Sequence, residues 1–220
     1  MVTRSLQVTT VLAANQSISR RPFTSVSLYQ PDQAILGYML EDLRALLSRM
    51  AVGELTVIPY QSNEWLVHGL KRRVVVANAM GLHNRRGVCV VGFFGEKHLD
   101  QDRAPLEEAN GEIVLEFKNF PGILSYSSME LIDGNWANLV LHDIPAVREY
   151  WRASERHSRA AQELSPLYYR TVRIHNGTLP GGVMSGRTIS IERTKYWDYR
   201  SLKVWHAVRE LSTPSPGLAH

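Results

Sequence analysis

Between Glu149 and Ala161 the chain reads EYWRASERHSRAA, which sets Trp151 and His157 into little more than three helical turns. Imidazole exchanges a proton near neutral pH and is also a nitrogen ligand that iron accepts readily. An indole beside it supplies a flat wall with a single N–H donor. The pair therefore points to two chemistries: a metal centre with His157 as ligand, or proton transfer with His157 as general base. The plain alternative is a polar residue in a packed helix.

At 100° per residue, His157 shares a face with Ala146, Tyr150, Ala153, Ser154 and Ala161, mostly small residues that leave room beside its ring. Trp151 stands about 120° away on an ideal helix. Both rings line one pocket only if the helix breaks near Ala153–Ser154. Arg148 falls on the opposite side. Arg152, Arg156 and Arg159 alternate with Glu149 and Glu155, the pattern of a solvated face.

Further candidates lie on strands. TVRIHNGTLPGG puts Arg173 and His175 on one face and Ile174 and Asn176 on the other, ahead of a loop marked by Gly177, Gly181 and Gly182. NWANLVLHD sets Trp136, Asn138, Val140 and His142 against Ala137, Leu139 and Leu141, and a buried His142 would be a second acid or base. Asn176-Gly177-Thr178 matches a glycosylation acceptor, but VTTVLAA near the start is too short and polar for a secretory core. Cys89, inside VCVVGFF, reads as a small buried hydrophobe. As the one cysteine, it forms no internal disulfide or CxxC zinc pair. No Walker loop, GxGxxG, HExxH or GxSxG occurs, so nucleotide hydrolysis, zinc proteolysis and α/β-hydrolase chemistry lose their usual marks.

Composition narrows the partners. Apolar residues make up 44% and charged residues 21% of 220, the balance of a globular protein with a real core. The net charge of +4 is spread out. Arg72-Arg73 and Arg85-Arg86 are short pairs rather than the continuous patch of a nucleic-acid binder, and a mildly anionic ligand fits this balance as well as a polynucleotide does. No nucleic-acid partner is expected. No run reaches the roughly 18 apolar residues of a membrane span. The first 31 residues hold Arg4, Arg20 and Arg21 and no acid before Asp32, a transit-peptide composition that is read here as a disordered or strand-forming arm. The expected location is cytoplasmic, with organellar targeting as the alternative.

Positioning these residues requires a succession of elements. FTSVSLYQP reads as a strand, then DQAILGYMLEDLRALLSRM as a helix with Asp32 as N-cap. ELTVIPY and WLVHGLKRRVVVANA read as two more strands. GVCVVGFFGEK is a continuous apolar strand, and APLEEANGEIVLEFKNF is a helix with Leu106, Ile113, Val114 and Phe117 on one face. PGILSYSSMELIDGNWANLVLHD folds around Asp133-Gly134 as a hairpin. IPAVREYWRASERHSRAAQEL is one helix with proline in its first turn, LYYRTVRIHNG is a strand, and RTISIERTKYW is one more. From Gly87 to Gly177 the order is βαββαβ, a ferredoxin-like unit with both helices on one face of an antiparallel sheet. The expected class is α+β. The domain reading is an arm (1–22), a degenerate ferredoxin-like repeat (23–86), a full repeat (87–200) and a tail (201–220), or one compact domain. Because neither side of NWANLVLHD is fully polar, the helix-free face is expected to be covered by a second sheet, from the first repeat or a partner chain.

This order, with NLVLHDIPAVREYWRASERH at the third strand and second helix, resembles the dimeric α/β-barrel superfamily. That group holds antibiotic-biosynthesis monooxygenases, haem-degrading enzymes and haem proteins related to chlorite dismutase and aldoxime dehydratase. The match covers about 90 of 220 residues and rests on element order plus Trp151 and His157. The resemblance implies a haem b enzyme of monooxygenase or dehydratase type, in a dimeric or tandem α/β barrel, acting on a small organic substrate. His157 would be the axial iron ligand with Tyr150 and Ser154 beside the cofactor, and Trp151, Asn138 and Arg173 would line the substrate side. The alternatives to that main reading are a cofactor-free monooxygenase of the same fold with His157 as general base, or a non-catalytic ligand-binding or assembly protein. The expected partners are a small molecule and a second copy of the chain.

Overall fold

The computed structural model describes residues 9–98 and 104–211, with Arg148 by its backbone alone. Strands and helices follow as β1 (Thr9–Leu12), α1 (Tyr29–Ala51), β2 (Ser62–Val67), β3 (Leu70–Val76), α2 (Ala79–Asn84) and β4 (Gly87–Lys97). Then come α3 (Ala104–Glu116), β5 (Ile123–Glu130), β6 (Trp136–His142), α4 (Pro145–Arg152), α5 (Glu155–Arg159) and α6 (Ser165–Tyr168). Three strands close the chain: β7 (Tyr169–Pro180), β8 (Ser190–Asp198) and β9 (Trp205–Glu210). The described strands form one mixed sheet in the order β1-β9-β8-β7-β4-β6-β5-β3-β2, with β1 and β9 parallel and the other pairs antiparallel. The protein is α+β.

The centre was legible. β4 is apolar on both faces, as a strand covered on both sides must be, and it pairs with β6 and β7. From Gly87 to Pro180 the chain runs βαββαβ in the spatial order β7-β4-β6-β5. Val114 and Phe117 after α3's start, and Trp151 of α4, pack on Val75, Tyr126 and Val140, so both helical segments lie on one face.

The other face corrects the expectation of a second sheet. Ala137, Leu139 and Leu141, with Val88, Val90 and Phe94, pack against Leu36, Met39, Leu40, Leu43 and Leu47 of α1. These leucines and the methionine recur every three or four residues, so one 23-residue helix carries a stripe wide enough to cover that face. Among its described residues the first third of the chain builds no second sheet; β2 and β3 extend the same sheet beyond β5.

Local chemistry explains the other differences. FTSVSLYQP is not a strand but two 3-10 turns, Pro22–Thr24 and Val26–Leu28, the second held by Ser25 Oγ accepting from the Ser27 N–H at 3.3 Å. Asp32 is not an N-cap: α1 begins at Tyr29, and the carboxylate is drawn to Arg173 and His175 instead. ELTVIPY forms no strand. WLVHGLKRRVVVANA belongs to two, because His68 and Gly69 both take positive φ (51° and 81°) and close a two-residue hairpin between β2 and β3. The edge at β1 and β9 is tied down by fully buried Arg209, whose guanidinium donates to the carbonyls of Ala13, Gln16 and Thr24 and to the hydroxyls of Tyr29 and Tyr196.

Gly177 sits where the β7–β8 register shifts, and a Cβ there would fall 1.9 Å from the Ser190 carbonyl oxygen. Gly177→Ala should lower the unfolding free energy by about 1–3 kcal/mol, read from the urea midpoint. Gly37→Ala, in α1 with nothing within 4 Å of its Cβ position, should instead raise it by about 0.5–1 kcal/mol. Equal midpoints for the two variants would contradict this packing.

Candidate functional site

Between the sheet and the segment from α3 to α6 lies a cavity of about 740 Å³, within the range of small-molecule sites. Its floor is set by strand register. Arg73 of β3 stands beside Ser128 of β5, then Asn138 of β6, Phe93 of β4 and Ile174 of β7, one residue per strand in a single row. All five line the cavity. Trp151, His157 and Ala161 close it from the helical side, and Tyr168, Tyr169, Trp197 and Tyr199 wall one end.

The helix break is where the histidine needs it. α4 ends at Arg152, and Ser154 caps α5, its Oγ accepting from the His157 N–H at 3.2 Å. Serine's preference for an N-cap overrides continuation of the helix at this point. The expected single helix is thus α4, α5, a π-helical stretch (Ala160–Leu164) and α6, in which Pro166 lacks the N–H to continue the ladder. The break swings the imidazole onto the tryptophan: the Trp151 and His157 rings meet edge to face, 4.6 Å between centroids.

Burial, and then the nearby Arg152 charge, lower the His157 pKa from 6.5 to about 4, so the ring is neutral at neutral pH. Neither ring nitrogen has a hydrogen-bond partner among the described residues, and the Asn138 amide has none either. Trp151 is buried against Phe117 at 5.7 Å, and its N–H also finds no acceptor among the described residues. Such a group costs about 1–3 kcal/mol unless something accepts its proton. Burial pushes the Tyr199 phenol up to about 12, which keeps its proton in place. Together these groups offer the unprotonated nitrogen of His157 as a basic acceptor, and N–H or O–H donors on Trp151, Asn138 and Tyr199, around an aromatic slot.

Trp151, Asn138 and His157 therefore meet in one cavity. Tyr150 does not join them: it is 71% exposed on the outer side of α4. Ser154 serves as the cap. Arg173, expected on the substrate side, is on the other face of β7, where alternation puts it with His175. Its guanidinium forms a two-pronged pair with Asp32 at 2.8 and 2.9 Å. His175 bridges Asp32 Oδ2 (2.9 Å) and Thr194 Oγ1 (2.8 Å), so both of its ring nitrogens are engaged. His142 is buried outside the cavity, its Nδ1–H donating to the Ile144 carbonyl at 2.9 Å. The Arg148 side chain is outside the described set. Tyr126 and Asn110 are cavity residues that the linear pattern did not single out, and it offered Arg73 only as half of a short basic pair. Alternation along β3 groups Arg73 with Val75, but only pairing with β5 places it beside Ser128.

The surroundings of His157 do not fit an axial haem ligand. An iron-bound imidazole needs an acceptor for its other ring nitrogen, and none is present among the described residues; the ring is oriented by Trp151 instead. Nor do the described residues contain a group of three or more His, Cys, Asp or Glu that would hold a metal ion. No described helix is long and apolar enough to cross a membrane.

No protein-family model matches the sequence, and no curated protein does. Among solved structures, protein SO0527 from Shewanella oneidensis is similar to 43% of this chain over 92% of its own length, at 12% identity and a TM-score of 0.38. SnoaB, a cofactor-independent oxygenase from Streptomyces nogalater, is similar to 44% of this chain over 94% of its own, at 14% identity and a TM-score of 0.34.

Proposed function

We propose that this chain is a cofactor-free oxygenase of ferredoxin-like type that oxidises a flat phenolic substrate, with His157 as general base. The observation that carries this reading is the neutral imidazole held against Trp151 in an aromatic-walled cavity, with both ring nitrogens unengaged among the described residues.

An imidazole of pKa about 4 is a weak base toward a phenol while the cavity holds no anion. Proton transfer changes that, because the imidazolium forms beside the phenolate it has just created, and an adjacent opposite charge raises its pKa. Arg152, which disfavours the imidazolium, favours the phenolate to the same end. The phenolate then passes two electrons, one at a time, to O2, and a C–O bond forms at the ring carbon para to the oxygen. The imidazolium protonates the resulting peroxide. Loss of the proton from that ring carbon breaks the O–O bond, expels hydroxide and leaves a second carbonyl. The hydroxide takes up the proton as water. For 1-naphthol the balance is naphthol plus O2 giving 1,4-naphthoquinone plus water. Trp151, Asn138 and Tyr199 donate hydrogen bonds to the oxygen atoms as negative charge grows on them.

The test is oxygen uptake by chelator-treated protein given 1-naphthol, followed with an oxygen electrode and by quinone absorbance. One O2 per quinone above the spontaneous rate is expected. Binding of 1-naphthol without uptake would leave a ligand-binding protein and end the catalytic reading. The pH profile adds a second check. The base must be unprotonated, so kcat/KM should hold through pH 6.5 and fall as pH drops through about 4.

A further inference from the structure

Resting on the oxygenase reading, we infer that the substrate is an aromatic acid, and that its carboxylate docks on Arg73. Arg73 lines the cavity at the polar end of the floor row, half-buried and, among the described residues, without an ion-paired carboxylate. Its neighbour Arg72 points to the other face and is answered by Asp42 at 2.8 Å. Glu64, which stands directly across from Arg73 on β2, and Glu107 also line the cavity, but neither carboxylate forms an ion pair with the Arg73 guanidinium.

The guanidinium is already aimed. Its Nε–H donates to Ser128 Oγ at 3.1 Å and an NH2 hydrogen reaches Tyr126 Oη at 3.5 Å, while the group stands 5.3 Å from the Tyr126 ring centroid. Tyr126 is fixed in turn, its hydroxyl donating to Asn110 Oδ1 at 3.0 Å. These contacts use one edge of the guanidinium. Of its five N–H donors, both on NH1 and the second on NH2 bond nothing among the described residues. That remaining edge is the fork that takes a carboxylate with two parallel hydrogen bonds. A Lys ammonium has no such edge, so Arg→Lys is not a neutral change here.

The spacing sets the ligand's length. With strands about 4.8 Å apart, the backbone of Asn138 is about 10 Å from that of Arg73 and Phe93 is one strand further. A carboxylate on Arg73 therefore puts a fused two- or three-ring system over Asn138 and Phe93, under Trp151 and His157. The polar end of the floor reads the acid, and the aromatic end takes the rings.

Isothermal titration with 2-naphthoate and its neutral isostere 2-naphthamide tests this. Wild type should bind 2-naphthoate at least 10-fold more tightly. Arg73→Gln should bring the two within about 2-fold of each other while keeping the amide's affinity, which also shows that the variant folds. Arg73→Lys should recover only part of the preference, and His157→Ala should leave it intact. Equal affinities in wild type, or a preference that survives Arg73→Gln, overturn the inference. If wild type shows no preference yet still consumes oxygen with 1-naphthol, the acid anchor falls and the oxygenase reading stands. If 2-naphthoate, 2-naphthamide and 1-naphthol all fail to bind, both fall.

Discussion

Asp32→Ala is expected to lower the unfolding free energy by about 3–5 kcal/mol, measured by urea denaturation at pH 7.5. Asp32 is buried on α1 and accepts hydrogen bonds from Arg173 Nε, Arg173 NH2 and His175 Nε2 at 2.8–2.9 Å. Burial by itself would raise its pKa, but the bonds from His175 and Arg173 outweigh it and hold the carboxyl below its usual range. Removing the carboxylate leaves a largely buried guanidinium without its counter-charge, and that loss exceeds the value of the pair itself. The sign with pH follows. Burial, ahead of the opposing pull of Asp32, depresses the His175 pKa, so the folded state disfavours its protonation. Stability from this network is present above pH 6.5 and is lost as pH falls below it, first through His175 and then through Asp32. In Asp32→Ala the carboxylate part of that acid dependence should vanish. A variant within 1 kcal/mol of wild type would show that the network is not what fixes α1 to the sheet.

His157→Ala should reduce kcat/KM for 1-naphthol oxidation by about 10²–10⁴-fold, the span of a lost general base. The imidazole is half-buried in a roomy cavity, so its loss should change the fold's stability little. His157→Gln keeps a hydrogen-bond acceptor but takes up no proton near neutral pH, and should be nearly as slow as the alanine variant. It should also lose the fall in kcat/KM near pH 4. Glutamine at wild-type rates would make His157 a positioning residue. The contrast with Arg73 is useful: its substitution should act on acid recognition and His157's on turnover.

The candidate site could be read in part from local pattern. The Asp133-Gly134 turn, the apolar run of β4 and the proline at the start of α4 are short-range signals, and they yielded the central βαββαβ order. The meeting of Trp151 and His157 depended on a break at Ala153–Ser154, and Ser154 supplies it through its own hydroxyl. Alternation also put Arg173 with His175, but it could not say which face holds a cavity. That depends on where α1 lands, and on Asp32 reaching across to β7. Arg73 was hidden for a related reason. Its neighbours Ser128 and Tyr126 are more than 50 positions away, and pairing between β3 and β5 leaves no mark in either strand alone. The helix-free face was expected to need another sheet because both sides of β6 are apolar; α1 meets the same requirement with one amphipathic stripe.

The central claim is that a flat phenol lies in the cavity with its hydroxyl at the His157 ring. An NMR titration of ¹⁵N-histidine-labelled protein with 1-naphthol measures this directly, with intermolecular NOEs recorded at saturation. The account predicts shifted His157 ring-nitrogen resonances, together with NOEs from naphthol protons to Trp151 and Phe93. An unmoved His157 resonance in the presence of bound naphthol, with NOEs only to residues outside the cavity, would contradict it.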